Sequence, residues 1–129
     1  MYKRQSLDEV YYLRGISKGF NKKHNGAVLD FNKAIKIDST TIKYYKARSV
    51  SKLKLKDYKG SLIDYSKIIE LDNKNIDAYM KRADVNYYLK NNDLACNDWT
   101  FAEKLGNKTA TRKIKDNCRV FLMKEKLKN

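Results

Sequence analysis

GAVLDFNKAIKID, running from Gly26 to Asp38, is echoed by GSLIDYSKIIELD, running from Gly60 to Asp72. The two stretches lie thirty-four residues apart and place Gly, Leu or Ile, Asp, an aromatic ring, Lys, Ile and a closing Asp in matching positions. Carried outward, the register gives three units starting at Asp8, Ile42 and Ile76, with no gap. Tyr11, Tyr45 and Tyr79 align, as do Arg14, Arg48 and Arg82. Asp30, Asp64 and Asp98 align next, followed by Phe31, Tyr65 and Trp99, then Ala34, Ile68 and Ala102, then Ile37, Leu71 and Leu105. Self-similarity at a fixed period of this size marks stacked supersecondary units.

Within each unit the apolar spacing is helical. In the second, Tyr45, Val50 and Leu53 precede a polar break at Lys56–Gly60, and Leu62, Tyr65, Ile68, Ile69 and Leu71 follow it. No alternating run of useful length suggests a strand. The pattern predicts helices at about 7–21, 25–38, 42–55, 59–71, 76–90, 93–105 and 109–127. Ser6 followed by Glu9 forms a capping box before Leu7. Thr41, Asn75 and Thr109 are the expected N-caps of later helices, and Gly106 the left-handed terminator of the sixth.

Composition bounds the function classes. The chain has 129 residues, 42% hydrophobic and 34% charged, enough for one domain with a large wetted surface. No stretch approaches the length of a membrane-spanning helix. The N-terminus MYKRQSLDEV lacks the apolar core of a signal peptide. As it stands the chain reads as cytoplasmic, and as exported if a leader was removed and its two cysteines are oxidised. The net charge of +14 is uneven, at +4 over residues 1–41, +5 over 42–75, −1 over 76–107 and +6 over 108–129.

These repeats resemble the tetratricopeptide repeat (TPR) family. The first unit supplies Tyr11, Gly15, Ala27, Phe31 and Ala34 of the family pattern, and the third supplies Tyr79, Ala83, Ala95, Trp99 and Ala102. The second is looser, with Tyr45, Ser49, Ser61, Tyr65 and Ile68. Arg14, Arg48 and Arg82 replace the usual Leu, and Ser39, Asn73 and Asn107 replace the closing Pro, which predicts looser turns between repeats. The resemblance implies an all-α, right-handed α-solenoid, a single domain over 1–129. Its three hairpins would span about 8–41, 42–75 and 76–109, and a capping helix at about 109–127 would make seven helices. The uncapped N-terminal hairpin implies either a longer array or self-association.

In an antiparallel hairpin turning near Lys23, Arg14 lies level with Asp30, and the same geometry pairs Arg48 with Asp64 and Arg82 with Asp98. Three structural salt bridges are therefore expected. Cys96 and Cys118 flank the turn at Gly106–Asn107 at similar distances, so a disulfide between them is geometrically allowed, the alternative being two small buried apolar residues. His24, the single histidine, falls in the polar KKHNG turn. With no histidine near either cysteine, no phosphate-cradling loop and no paired carboxylates, neither an enzyme nor a metal or cofactor site is expected.

The resemblance also implies a function, a protein–protein interaction module that binds a peptide or helix in a concave groove lined by the first helix of each unit. By register that face carries Tyr12, Ile16 and Phe20, then Lys43, Lys46, Val50 and Lys54, then Met80, Asp84 and Tyr87. The three lysines favour an acidic ligand. The carboxylate clamp of chaperone-tail receptors is not expected, since its positions hold Tyr12, Ile16, Ala47, Asp77 and Lys81, of which Lys81 alone fits. A nucleic-acid-binding basic repeat is the competing class, resting on ten tyrosines interleaved with lysines.

Overall fold

The computed structural model describes residues 4–128. Its helices are α1 (Leu7–Phe20), α2 (His24–Ile37), α3 (Ile42–Lys54), α4 (Tyr58–Leu71), α5 (Ile76–Tyr88), α6 (Asn92–Lys104), α7 (Lys108–Asn117) and α8 (Arg119–Leu127). The architecture is all-α, built from paired helical hairpins, with eight helices among the described residues rather than the seven expected. The segment from 108 to 127 is broken at Cys118, whose φ of −114° and ψ of 20° lie off the helix. Cys118 is tied to Cys96 of α6 by a disulfide with Cα atoms 5.8 Å apart, so the chain turns there and Phe121 folds inward.

The helices fall into two compact units divided between Leu71 and Asp72. In the first, α1 pairs with α2, α3 pairs with α4, and α2 packs on α3. In the second, α5 pairs with α6, α6 packs on α7, and α8 touches both α6 and α7.

Small residues allow the hairpins to close. Ala27, Ser49, Ser61, Ala83 and Ala95 are fully buried. At Gly15 a Cβ would stand 2.6 Å from the Phe31 ring, so only glycine admits that ring between α1 and α2. The turn inside each hairpin repeats with the sequence period. Lys22, Lys56 and Lys90 adopt left-handed φ values of 61°, 61° and 66°. The next residue's N–H then reaches back to a carbonyl near the helix end, from Lys23 to Lys18, Asp57 to Lys52 and Asn91 to Asn86, each at 2.8 Å. This is a Schellman closure with lysine where glycine is usual.

The turns that lack proline are tied by side chains instead of being loose. Asp38 accepts from the Thr40 amide at 2.9 Å and from the Thr40 and Thr41 hydroxyls at 2.8 and 2.7 Å. Tyr45 donates its hydroxyl to the Ser39 carbonyl at 2.7 Å, and Tyr79 donates to the Asn73 carbonyl at 2.9 Å. The repeated tyrosine thus locks the turn that precedes its own helix.

Capping differs in part from expectation. Asn75 accepts from the Ala78 amide as predicted. Ser6 and Thr41 hold N-cap positions without a side-chain cap bond, and the Thr41 hydroxyl is spent on Asp38. The N-cap of α7 is Asn107 rather than Thr109, accepting from Ala110 at 2.8 Å. Gly106, with φ 103°, ends α6 as expected.

Candidate functional site

The recurring arginines and aspartates meet inside each hairpin. Arg14 donates to both Asp30 oxygens at 2.9 and 2.7 Å, and Arg82 to both Asp98 oxygens at 2.7 and 2.8 Å. Arg48 reaches Asp64 at 2.6 Å through Nη2 and at 3.1 Å through Nε. In the first unit each carboxylate holds a second cation that sequence reasoning missed. Lys18 stands 3.1 Å from Asp30, and Lys52 stands 3.3 Å from Asp64. The signal was present four residues after each arginine; the third repeat has Asn86 there, buried and bonded to Asn91. The Arg14 guanidinium, then Lys18, hold the Asp30 carboxyl below its ordinary range against the opposing cost of burial.

The first unit brings together four of the predicted groove residues. Ile16 and Phe20 of α1 and Val50 and Lys54 of α3 line a groove of about 330 Å³, floored by Gly15, Gly19 and Phe31 and completed by His24, Ala47 and Ser51. Phe20 is 84% exposed, and Val50 is more than half exposed. His24 is not in a turn; it opens α2, and its Nδ1 is buried with no hydrogen-bond partner among the described residues. Gly19 leaves room, since a Cβ there would meet no heavy atom within 4 Å.

Tyr12 belongs to the packing above this groove. Its ring centroid lies 6.0 Å from that of Phe31 and 5.2 Å from that of Tyr44, while Lys43 Nζ stands 5.1 Å over its face. Lys43 is also 3.9 Å from Glu9. Tyr44 donates to Asp8 at 2.6 Å, tying α3 to α1. Burial, then this bond, push the Tyr44 hydroxyl well above its usual range. Lys46 is exposed on α3.

The remaining predicted residues lie in the second unit. Asp84, Tyr87, Tyr88, Lys90, Trp99, Lys113 and Asn117 line a cleft of about 780 Å³ of mixed aromatic and charged character. Lys113 Nζ stands 2.6 Å from Asp84 and 5.5 Å from the Trp99 ring centroid. Trp99 donates to Asp84 at 3.3 Å, and Tyr87 donates to Asn117 at 2.9 Å. Asp84 and Tyr87 therefore engage α7, and Met80 is half-buried on α5. Four tyrosines, Tyr44, Tyr45, Tyr65 and Tyr79, are buried in packing. Among the described residues no cluster of His, Cys, Asp or Glu could hold a metal ion.

Paired helices of this period, with small residues at the crossings and a ring packed against them, define a helical-hairpin repeat protein. The Arabidopsis OM64 TPR domain is 30% identical over 84% of this chain and 92% of that one, with a TM-score of 0.73. The chain belongs to the tetratricopeptide repeat family. The second TPR domain of human RPAP3, solved in complex with an HSP70 peptide, is 20% identical over 87% of this chain and 98% of that one, at a TM-score of 0.73. The yeast Sti1 TPR2B domain, solved as a pHsp70 complex, is 22% identical over 84% of this chain and 90% of that one, at a TM-score of 0.72. At that identity the last two show the fold alone. No protein-family model matches the chain, and no curated protein matches it.

Proposed function

We propose that this chain is a non-catalytic protein–protein interaction module. Its α1–α3 groove binds a peptide or helix that inserts a bulky apolar side chain and carries acidic residues nearby. One observation carries the reading: a preformed, largely apolar groove in which Phe20 stays 84% exposed. A concave apolar site with few polar groups is the usual form of a ligand pocket, and exposed aromatic residues are the usual anchors of an interface. His24 Nδ1 gives the groove one unmet polar atom. Lys54 at the wall and Lys43 and Lys46 further along α3 favour an acidic flank by charge. Tyrosine burial weakens the nucleic-acid alternative, because four of the rings that would stack on bases are already in packing.

The test is selection from a displayed random peptide library, followed by titration of the winners against wild type and Gly19→Leu. The leucine fills open space in the groove and improves the propensity of α1 by roughly 0.7 kcal/mol, so folding is preserved or strengthened. Enriched peptides with an apolar anchor and acidic flanks that Gly19→Leu no longer binds would support the proposal. Peptides that bind Gly19→Leu as well as wild type would overturn it.

A further inference from the structure

Of the C-terminal helix pair, α7 buries Ala110 and Ile114 and exposes only polar side chains, but α8 does not present the wholly polar outer face that closes a helical repeat. In α8, Phe121 is buried, and with Leu122 it lines a cleft shared with Tyr79, Phe101 and Lys104. On the opposite side Val120, Met123 and Leu127, spaced by three and four, are 65%, 57% and 87% exposed. They form one aliphatic stripe along the solvent side of the helix. Arg119 and Lys126 flank it, and both are exposed. Residues 108–129 hold eight basic and two acidic side chains.

We infer that the outer face of α8 forms a docking surface for an anionic membrane, independent of the peptide groove proposed above. Three considerations select this occupant. The stripe is aliphatic, so it offers no ring on which a nucleic-acid base could stack. The charge excess is positive on this segment and on the chain as a whole, +6 of +14, so a second copy would be repelled. An aliphatic face edged by lysine and arginine suits the boundary between anionic headgroups and acyl chains, where the apolar side chains enter and the cations stay at headgroup level. The contact is with the bilayer surface, since no described helix is long and apolar enough to cross it. The disulfide from Cys96 to Cys118 fixes the start of α8 against α6, so the stripe is held outward before any membrane is met.

The test is flotation of the full chain with vesicles of phosphatidylcholine alone and of phosphatidylcholine mixed with phosphatidylglycerol. Wild type is expected to float with the mixed vesicles and not with phosphatidylcholine alone. The triple variant Val120→Ser, Met123→Ser, Leu127→Ser changes exposed side chains, so its helicity and disulfide should match wild type while its partitioning falls about tenfold. Arg119→Gln with Lys126→Gln should also lose binding, about fivefold per charge removed. The inference is overturned if wild type remains unbound, if it floats equally with both vesicles, or if the triple variant floats like wild type. The last result would reduce the contact to charge adsorption, of the kind RNA or an acidic protein could equally provide.

Discussion

Ile16, Gly19, Phe20 and Phe31 occupy the same repeat positions as Asp84, Tyr87, Tyr88 and Trp99, two periods later, yet the two sets build opposite surfaces. The first set lines an apolar groove with an exposed ring and an empty space beside a glycine. The second lines a cleft whose polar groups bond to α7 through Asp84–Lys113 and Tyr87–Asn117. Repeat register therefore says which positions face the space between neighbouring helices. The residues filling those positions say whether that space is lined by apolar side chains beside a glycine or by polar groups already bonded to a neighbouring helix. The supporting clusters differ in parallel, with Arg and Lys on one carboxylate in both hairpins of the first unit and Asn86 in place of the lysine in the second.

The largest expected effect tests those clusters. Asp64 is fully buried with the Arg48 side chain only 15% exposed, so Asp64→Ala strands two cations and should cost about 3–5 kcal/mol in urea unfolding. Asp98→Ala removes the bidentate carboxylate of a more exposed arginine and should cost less, about 2 kcal/mol. Equal losses would erase the difference between the units. Stability should also depend on acid. Because Arg14 and Lys18 hold the Asp30 carboxyl below its ordinary 3.8, the folded state binds fewer protons than the unfolded state near that pH. The stabilisation is complete above it and is lost as pH falls through the depressed folded value. Unfolding midpoints should drop below about pH 4, and Asp30→Asn should flatten that drop.

Next in size is the groove. Phe20→Ala should weaken a selected peptide by about 2 kcal/mol, roughly thirtyfold, while Tyr88→Ala at the equivalent position changes it less than about twofold. The hairpin turns give a smaller effect of opposite sign. Lys22→Gly and Lys56→Gly remove a left-handed lysine and should each stabilise by about 1 kcal/mol in thermal unfolding. Smallest is Lys113→Ala, which removes a partly exposed pair. It should cost about 0.5 kcal/mol and leave peptide affinity unchanged.

Much of the fold was legible because its determinants are local or periodic. The apolar spacing placed seven of eight helix starts within a residue or two, and an antiparallel hairpin turning near Lys23 placed Arg14 opposite Asp30. The break at Cys118 was not legible, because it arises from a tertiary tie to Cys96 inside a segment whose own pattern is continuously helical. Capping failed where another polar group competed, as at Thr41, whose hydroxyl goes to Asp38. Of the expected groove residues, Ile16, Phe20, Val50 and Lys54 come together, while the pairing of Asp84 and Tyr87 with α7 was not legible. Nothing local to Asp84 or Tyr87 announces Lys113 and Asn117, which lie about thirty residues further on.

The most direct measurement is amide chemical-shift mapping of the labelled protein on titration with a library-selected peptide. Gly15 and Gly19 in the groove and the Trp99 indole in the cleft serve as separate reporters. Saturable shifts are expected at Gly15, Gly19 and Val50, with the Trp99 indole and the Tyr87 amide unmoved. Shifts concentrated at Trp99 and Tyr87, with the glycines still, would place recognition in the second unit and contradict a binding groove between α1 and α3.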